Sequence, residues 1–239
     1  MNESQFEKNI RISRQSIQLS YDSLPDHIGH RRAERICFNL WMIIKDFIDI
    51  SLHEWRRGNA PLVDMNAGLD AADTLVAAID EYGAQHDDYA DVDFRLIESC
   101  AYLANRGFRW RLPMAAIDRN ADWALSDLLN RELRDEPYEE GLDGLFDKLA
   151  SNKRRALAVA SYRTYFALLD GTAAAECRDE LVKQADANYH RRARDSYYSG
   201  GPEYRGGGPD NPYVVDIELA CVLKKIGWEG DSIHRWLWR

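Results

Sequence analysis

A helix that is apolar on almost every side, reached through a long glycine- and tyrosine-rich stretch, constrains this chain more than any other feature. The run Tyr213-Val214-Val215-Asp216-Ile217-Glu218-Leu219-Ala220-Cys221-Val222-Leu223 interrupts its apolar residues only at Asp216 and Glu218. Such a helix is stable when most of its faces are covered, so other helices must pack around it. Before it comes the longest run of turn formers in the chain, Tyr197-Tyr198-Ser199-Gly200-Gly201-Pro202-Glu203-Tyr204-Arg205-Gly206-Gly207-Gly208-Pro209-Asp210. Asn211 suits an N-cap and Pro212 the first helical position, which predicts a helix over 212–226. A charged helix from Cys177 to Tyr197 is predicted on the other side of the loop. A loop held at both ends by helices, with its middle displayed, is a binding element. Tyrosine offers it a large contact area at small entropic cost. The competing reading has the loop folding its tyrosines onto the helix beneath.

The rest of the chain is also helical in period. Phe6, Ile10, Ile12 and Ile17 mark a first helix from Ser4 to Leu19, with Ser23-Leu24-Pro25 as its stop. Asp26 is placed to cap a second helix from about His27 to Arg57. Its stripe of Ile36, Leu40, Ile43, Ile44, Phe47, Ile48 and Leu52 is wide enough to face a core on more than one side. Gly58-Asn59-Ala60-Pro61 ends it, and Leu69, Ala72, Leu75, Val76 and Ile79 face a third helix running to Tyr82. Further helices are predicted over Asp93 to Asn105, Ala121 to Leu129 and Lys153 to Leu169. Short ones are expected around Leu112 to Ile117 and around Leu142 to Leu149. No stretch alternates cleanly enough for a strand. The expected fold is all-α, an antiparallel helical bundle or array of helical hairpins. Its smaller N-terminal region (1–85) would pack on a larger C-terminal region (86–239) in one compact unit. The breaks at 83–89 and 105–113 compete as the boundary.

With 40 acidic and 31 basic residues among 239, the formal net charge is -9. Phosphate repels such a surface, so nucleic acid and anionic membrane are not expected as partners, whereas a basic protein is compatible. The most apolar run, Ile36 to Leu52, is broken by Asn39, Lys45, Asp46 and Asp49 and does not read as membrane-spanning. The N-terminus lacks the basic-then-apolar pattern of a signal peptide, and the cytoplasm is the expected compartment. Cys37, Cys100, Cys177 and Cys221 are widely spaced in apolar or helical settings and read as buried free thiols.

Constellations with chemical potential fall short. His27 and His30 are three apart, but Arg31 and Arg32 beside them repel a cation, and a metal needs three or four converging ligands. His86 to Asp93 is acidic like a calcium loop without its turn glycine. Gly206-Gly207-Gly208 precedes a helix as phosphate cradles do, yet Pro209 and Pro212 lack donors and Asp210 sets a carboxylate where phosphate would lie. His190 to Arg194 reads as a basic helix face. No catalytic residue, metal or cofactor is expected. What remains is acidic surface, at Asp87, Asp88, Asp91 and Asp93 and again at Asp135, Glu136, Glu139 and Glu140, together with the tyrosine loop.

Near the C-terminus a charged helix, an aromatic polar loop and an alanine-containing helix with an early Glu218, then Ala220, Lys224 and Gly227, stand in the order of a known pattern. Gln5-Phe6-Glu7-Lys8-Asn9-Ile10 and the turn at Trp55-Arg56-Arg57-Gly58 fit its N-terminal part. In these features the chain resembles the PoNe-immunity (PoNi-like) family, bacterial proteins that neutralise polymorphic DNase toxins. It departs from that family at Val214 and Val215, where an aromatic pair is common. The resemblance implies an all-helical, non-enzymatic protein that occludes a cognate toxin. Asp87, Asp88, Tyr197, Tyr198, Tyr204 and Asp210 are the expected contact residues, because an acidic surface can occupy a cationic nuclease cleft. The competing expectations are a helical enzyme whose pocket gathers distant carboxylates, and a helical scaffold that binds a peptide.

Overall fold

The computed structural model describes residues 5–59, 61–108, 110, 121–137, 144, 146–147, 156–171, 175–195 and 215–238. Among these, every regular element is helical and there is no strand. They fall into two compact units. The first holds α1 (Gln5–Gly29), α2 (Ala33–Arg56), α3 (Leu62–Tyr82), a 3-10 turn (His86–Tyr89) and α4 (Phe94–Leu103). The second holds α5 (Ala121–Leu133), α6 (Ala156–Leu169), α7 (Ala175–Asp195), α8 (Ile217–Lys225) and a terminal 3-10 segment (Ile233–Trp238). The division falls after Phe108, within the second of the two expected breaks, and not at residue 85. The reason is packing: the 3-10 turn lies on α2, and α4 lies on α3.

The first unit is built around α2, which packs on α1, α3 and the 3-10 turn. Ile36, Leu40, Ile43, Ile44, Ile48, Ile50 and Leu52 are each no more than 2% exposed. Each such side chain is worth about 1.5–3 kcal/mol of burial. The wide stripe therefore commits α2 to neighbours on several sides. Close approach of α3 depends on Gly68, where a Cβ would stand 3.1 Å from the Phe47 Cβ and 3.3 Å from the Ile44 carbonyl oxygen. Arg106 ties the chain after α4 back to α3, placing its guanidinium 2.5 Å from Asp70 and 2.6 Å from Asp73.

The turn between α1 and α2 lies further along the chain than the sequence suggested. Pro25 does not stop α1 but sits inside it, and the helix runs on to Gly29. A proline ring removes one helical donor, at a cost of about 3 kcal/mol. Packing of α1 on α2 offsets that cost, including the Asn39 amide donating to the Ser23 hydroxyl at 3.1 Å. The helix ends in a left-handed closure at Arg31 (φ 51°), with the Arg32 N–H on the His27 carbonyl and the Arg31 N–H on the Ile28 carbonyl, both at 3.0 Å. Asp26 consequently does not cap α2, whose N-cap position is Arg32.

The same six-to-one and five-to-two bonding recurs at Gly58, Gly83, Asn105, Asp135 and Gly227, all at positive φ. At Asn105 and Asp135 a short polar side chain takes the place that glycine usually fills.

In the second unit, α8 packs against α5, α6, α7 and the terminal segment. Six of its residues, Ile217, Leu219, Ala220, Cys221, Val222 and Leu223, are buried. It begins at Ile217, and the expected start at Asn211 and Pro212 lies outside the described residues. Asp216 is the N-cap, and its carboxylate accepts the Leu219 N–H at 3.0 Å. The terminal segment is pinned by Leu237, fully buried, and by His234, whose Nε2 lies 2.7 Å from Asp186. Cys37, Cys100 and Cys221 are buried free thiols, but Cys177 is exposed, because it falls on the solvent side of α7. Burial pushes the Cys37 thiol up to about 11. The short helices expected around 112–117 and 142–149 lie largely outside the described residues, although Phe146 is buried and meets Phe166 edge-on at 5.8 Å.

Two measurements test this packing. Gly68→Val should destabilise the protein by about 1–3 kcal/mol in chemical denaturation, because the added methyls have no room between α3 and α2. The second is pH dependence. Burial pushes the Asp49 carboxyl up to about 6, with Lys45 Nζ 3.2 Å away acting in the opposite direction. Burial also raises Asp46 and Asp64. A carboxyl raised on folding binds more protons in the folded state, so its stabilising contribution is full below about pH 4 and is lost as pH rises through about 6. Asp49→Asn should flatten the fall in stability between those pH values.

Candidate functional site

The expected contact residues divide between the units. Asp87 and Asp88 lie in the first, on the 3-10 turn that follows α3. Tyr197, Tyr198, Tyr204 and Asp210 lie outside the described residues.

The turn is firmly built. Gly83 closes α3 in the left-handed conformation (φ 62°), and Gln85 and Asp88 then form a reciprocal capping box. The Gln85 N–H donates to the Asp88 carboxylate at 2.7 Å. Asp88 therefore holds the turn, whereas the Asp87 side chain is fully exposed. Behind the turn, Tyr89 meets His86 edge-on at 5.7 Å and Phe94 at 6.0 Å. Val92 and Phe94 are each 3% exposed and anchor the exit. Asp93 starts α4 by accepting the Leu96 N–H at 3.2 Å and pairs both oxygens with Arg95 at 3.0 Å.

Four carboxylates are thus exposed along this corner: Asp80 and Glu81 at the end of α3, Asp87 on the turn and Asp91 beyond it. Tyr82 stands among them with the Arg31 guanidinium 5.7 Å from its ring centroid. The sequence reading singled out Asp87 and Asp91 and passed over Asp80 and Glu81. Their signal was available, since both sit on the polar side of α3's period in its last turn before Gly83.

The second acidic segment behaves differently. Asp135 closes α5 at φ 56° and is paired with Lys225 Nζ at 2.6 Å. It joins α5 to the end of α8, while Glu139 and Glu140 lie outside the described residues.

The residues of the C-terminal pattern gather around α8. Ala220 is fully buried, and Gly227 supplies the left-handed closure after the helix (φ 62°). Burial lowers the Lys224 ammonium from its ordinary range. Glu218 accepts from the Tyr162 hydroxyl at 2.9 Å on both oxygens and from the Ser126 hydroxyl. Beside it, Asp216 accepts from the Tyr165 hydroxyl as well as from the Leu219 N–H. Tyr162 and Tyr165 are 1% and 0% exposed, with rings edge-on at 5.3 Å. Charge-assisted hydrogen bonds of this kind hold the buried Asp216 and the half-buried Glu218 and fix the register of α8 on α5 and α6. Nothing in the sequence links residues 126, 162, 165, 216 and 218. The cap at Asp216 was not expected either, since the sequence places it at Asn211.

Two shallow grooves run along α1. One, of about 390 Å³, is lined by Arg11, Arg14 and Arg57 around Ile10, with Glu7, Gln15 and Gln18 at its edges. The other, of about 460 Å³, lies between α1 and α2, and Ile12, Leu19, Phe38 and Met42 give it an apolar wall. His27 lies in the last turn of α1 and His30 in the turn that follows, where the His30 Nδ1 is 2.8 Å from the Asp26 carbonyl oxygen. Among the described residues, no helix is long and apolar enough to cross a membrane.

Comparison with protein-family models, curated proteins and solved structures finds no match.

The buried carboxylates give a prediction about the second unit. Asp216→Ala removes the side-chain acceptor of the Leu219 N–H and one hydrogen bond of the Tyr165 hydroxyl. It should cost about 1–3 kcal/mol in denaturant unfolding, from the lost cap and the lost buried hydrogen bond.

Proposed function

We propose that this chain is an immunity protein that binds a cognate bacterial polymorphic toxin, a DNase, and blocks its active site. The observation that carries the reading is the corner at Asp80, Glu81, Asp87 and Asp91, where carboxylates are exposed on a backbone fixed by the Gly83 closure and the Gln85–Asp88 box. A DNase must present a cationic cleft to bind phosphates. Carboxylates held on a firm turn enter such a cleft as phosphate substitutes with little ordering entropy left to lose. The net charge of -9 speeds the encounter by steering. The resemblance of the C-terminal pattern to the PoNe-immunity family supports the same reading. The chain has no chemistry to perform in this role, since Asp216 and Glu218 serve to hold α8.

The test looks beside the gene for a secreted nuclease and pairs the chain with it. Bacteria expressing that nuclease in the cytoplasm should survive only when the chain is co-expressed. Reversing Asp87 and Asp91 together to lysine should weaken binding at least tenfold at low salt, mainly through slower association. Survival without the chain, or an affinity indifferent to the reversal, would contradict the proposal.

A further inference from the structure

The exposed large apolar residues of the first unit are Ile12, Leu19, Tyr21 and Ile28 on α1, Phe38 on α2 and Val63 on α3, and two of them share a seam with Phe38 alongside. Ile12 is 48% exposed and Leu19 is 69% exposed, large values for side chains of this type in the middle of a helix. They are seven residues apart, on one seam of the helix, and Gln15 stands between them on the same seam. Extending the seam in both directions gives Lys8 before Ile12 and Asp22 and Asp26 after Leu19, all exposed. The basic Lys8, Arg11 and Arg14 outnumber Glu7 in the first half of α1, and Asp22 and Asp26 lie in its second half with His27. Phe38, 45% exposed on α2, widens the apolar strip alongside.

We propose that this seam is a self-association surface, on which α1 of one copy lies antiparallel to α1 of a second copy. The two-fold axis passes between Gln15 and Ser16, so Ile12 of each copy packs on Leu19 of the other. The same register brings each Lys8 beside the other copy's Asp22. A parallel pairing would instead set Lys8 against Lys8 and Asp22 against Asp22, so the charge division along α1 selects the antiparallel one. The arrangement is self-complementary, as a two-fold interface requires. It also covers an apolar strip that would otherwise face water. The surface uses no residue assigned to the toxin contact and does not depend on that assignment.

The experiment is sedimentation equilibrium of the full chain, with charge variants at the two ends of the seam. The wild-type chain should be dimeric at roughly 100 μM. Leu19→Glu should be monomeric with an unchanged helical circular dichroism spectrum, since the side chain is on the surface. Lys8→Glu alone and Asp22→Lys alone should each loosen the dimer about tenfold at low salt, through two symmetry-related contacts. The double variant should return to within a few-fold of wild type. A monomeric wild-type chain would assign the strip to another protein's helix and overturn the proposal. A dimer that survives Leu19→Glu, or a double variant no tighter than the singles, would overturn it as well.

Discussion

Each unit depends on one helix that buries more than one of its faces. In the first it is α2, enclosed by α1, α3 and the 3-10 turn. In the second it is α8, enclosed by α5, α6, α7 and the terminal segment. A helix in that position cannot slide or rotate without exposing several large side chains. At about 25 cal/mol per Å² of apolar surface, even a small rotation is costly. The surrounding helices inherit their positions from it. Non-directional burial does not choose among registers, however, and polar contacts supply that choice. In the second unit, Tyr162 and Tyr165 hold Glu218 and Asp216 in one alignment. In the first, Gly68 admits the α2 backbone at a single place along α3.

The helix ends carry the consequence to the surface. Closures at Arg31, Gly83 and Asn105 set where the chain leaves α1, α3 and α4, and the acidic corner is the exit from one of them. Asp88 spends its carboxylate on the local backbone, and this is what leaves Asp87 projecting. The proposed toxin contact thus rests on a division of labour between neighbouring aspartates, one shaping the turn and the other presenting charge. Fixed presentation matters for such a contact, because a flexible acidic loop would lose part of its electrostatic gain to ordering.

Much of the fold was legible because its strongest signals are periodic. The stripe from Ile36 to Leu52, the face from Leu69 to Ile79 and the apolar run from Ile217 to Leu223 all predicted helices whose burial the structure displays. Ends were harder. Pro25 reads as a stop, yet tertiary packing carries α1 through it. Arg31 in a left-handed closure has no sequence signature, because bulky residues rarely adopt that conformation. Asp216 is the N-cap of α8, and its partner, the buried Tyr165 hydroxyl, lies 51 residues away in sequence. For the same reason the carboxylate–tyrosine cluster was invisible, while the acidic turn, contiguous in sequence, was seen at once. Of the tyrosine loop, sequence and resemblance remain the grounds for its assignment.

Hydrogen exchange of the chain alone and with the nuclease bound tests the central claim most directly, because it reads rigid body and displayed corner together. In the free chain the slowest amides should be those of α2 in the first unit and α8 in the second. Nuclease binding should leave them unchanged while slowing exchange at residues 85–91. Fast exchange throughout α2 or α8, or a bound state in which the 85–91 turn exchanges as it does in the free chain, would contradict the account.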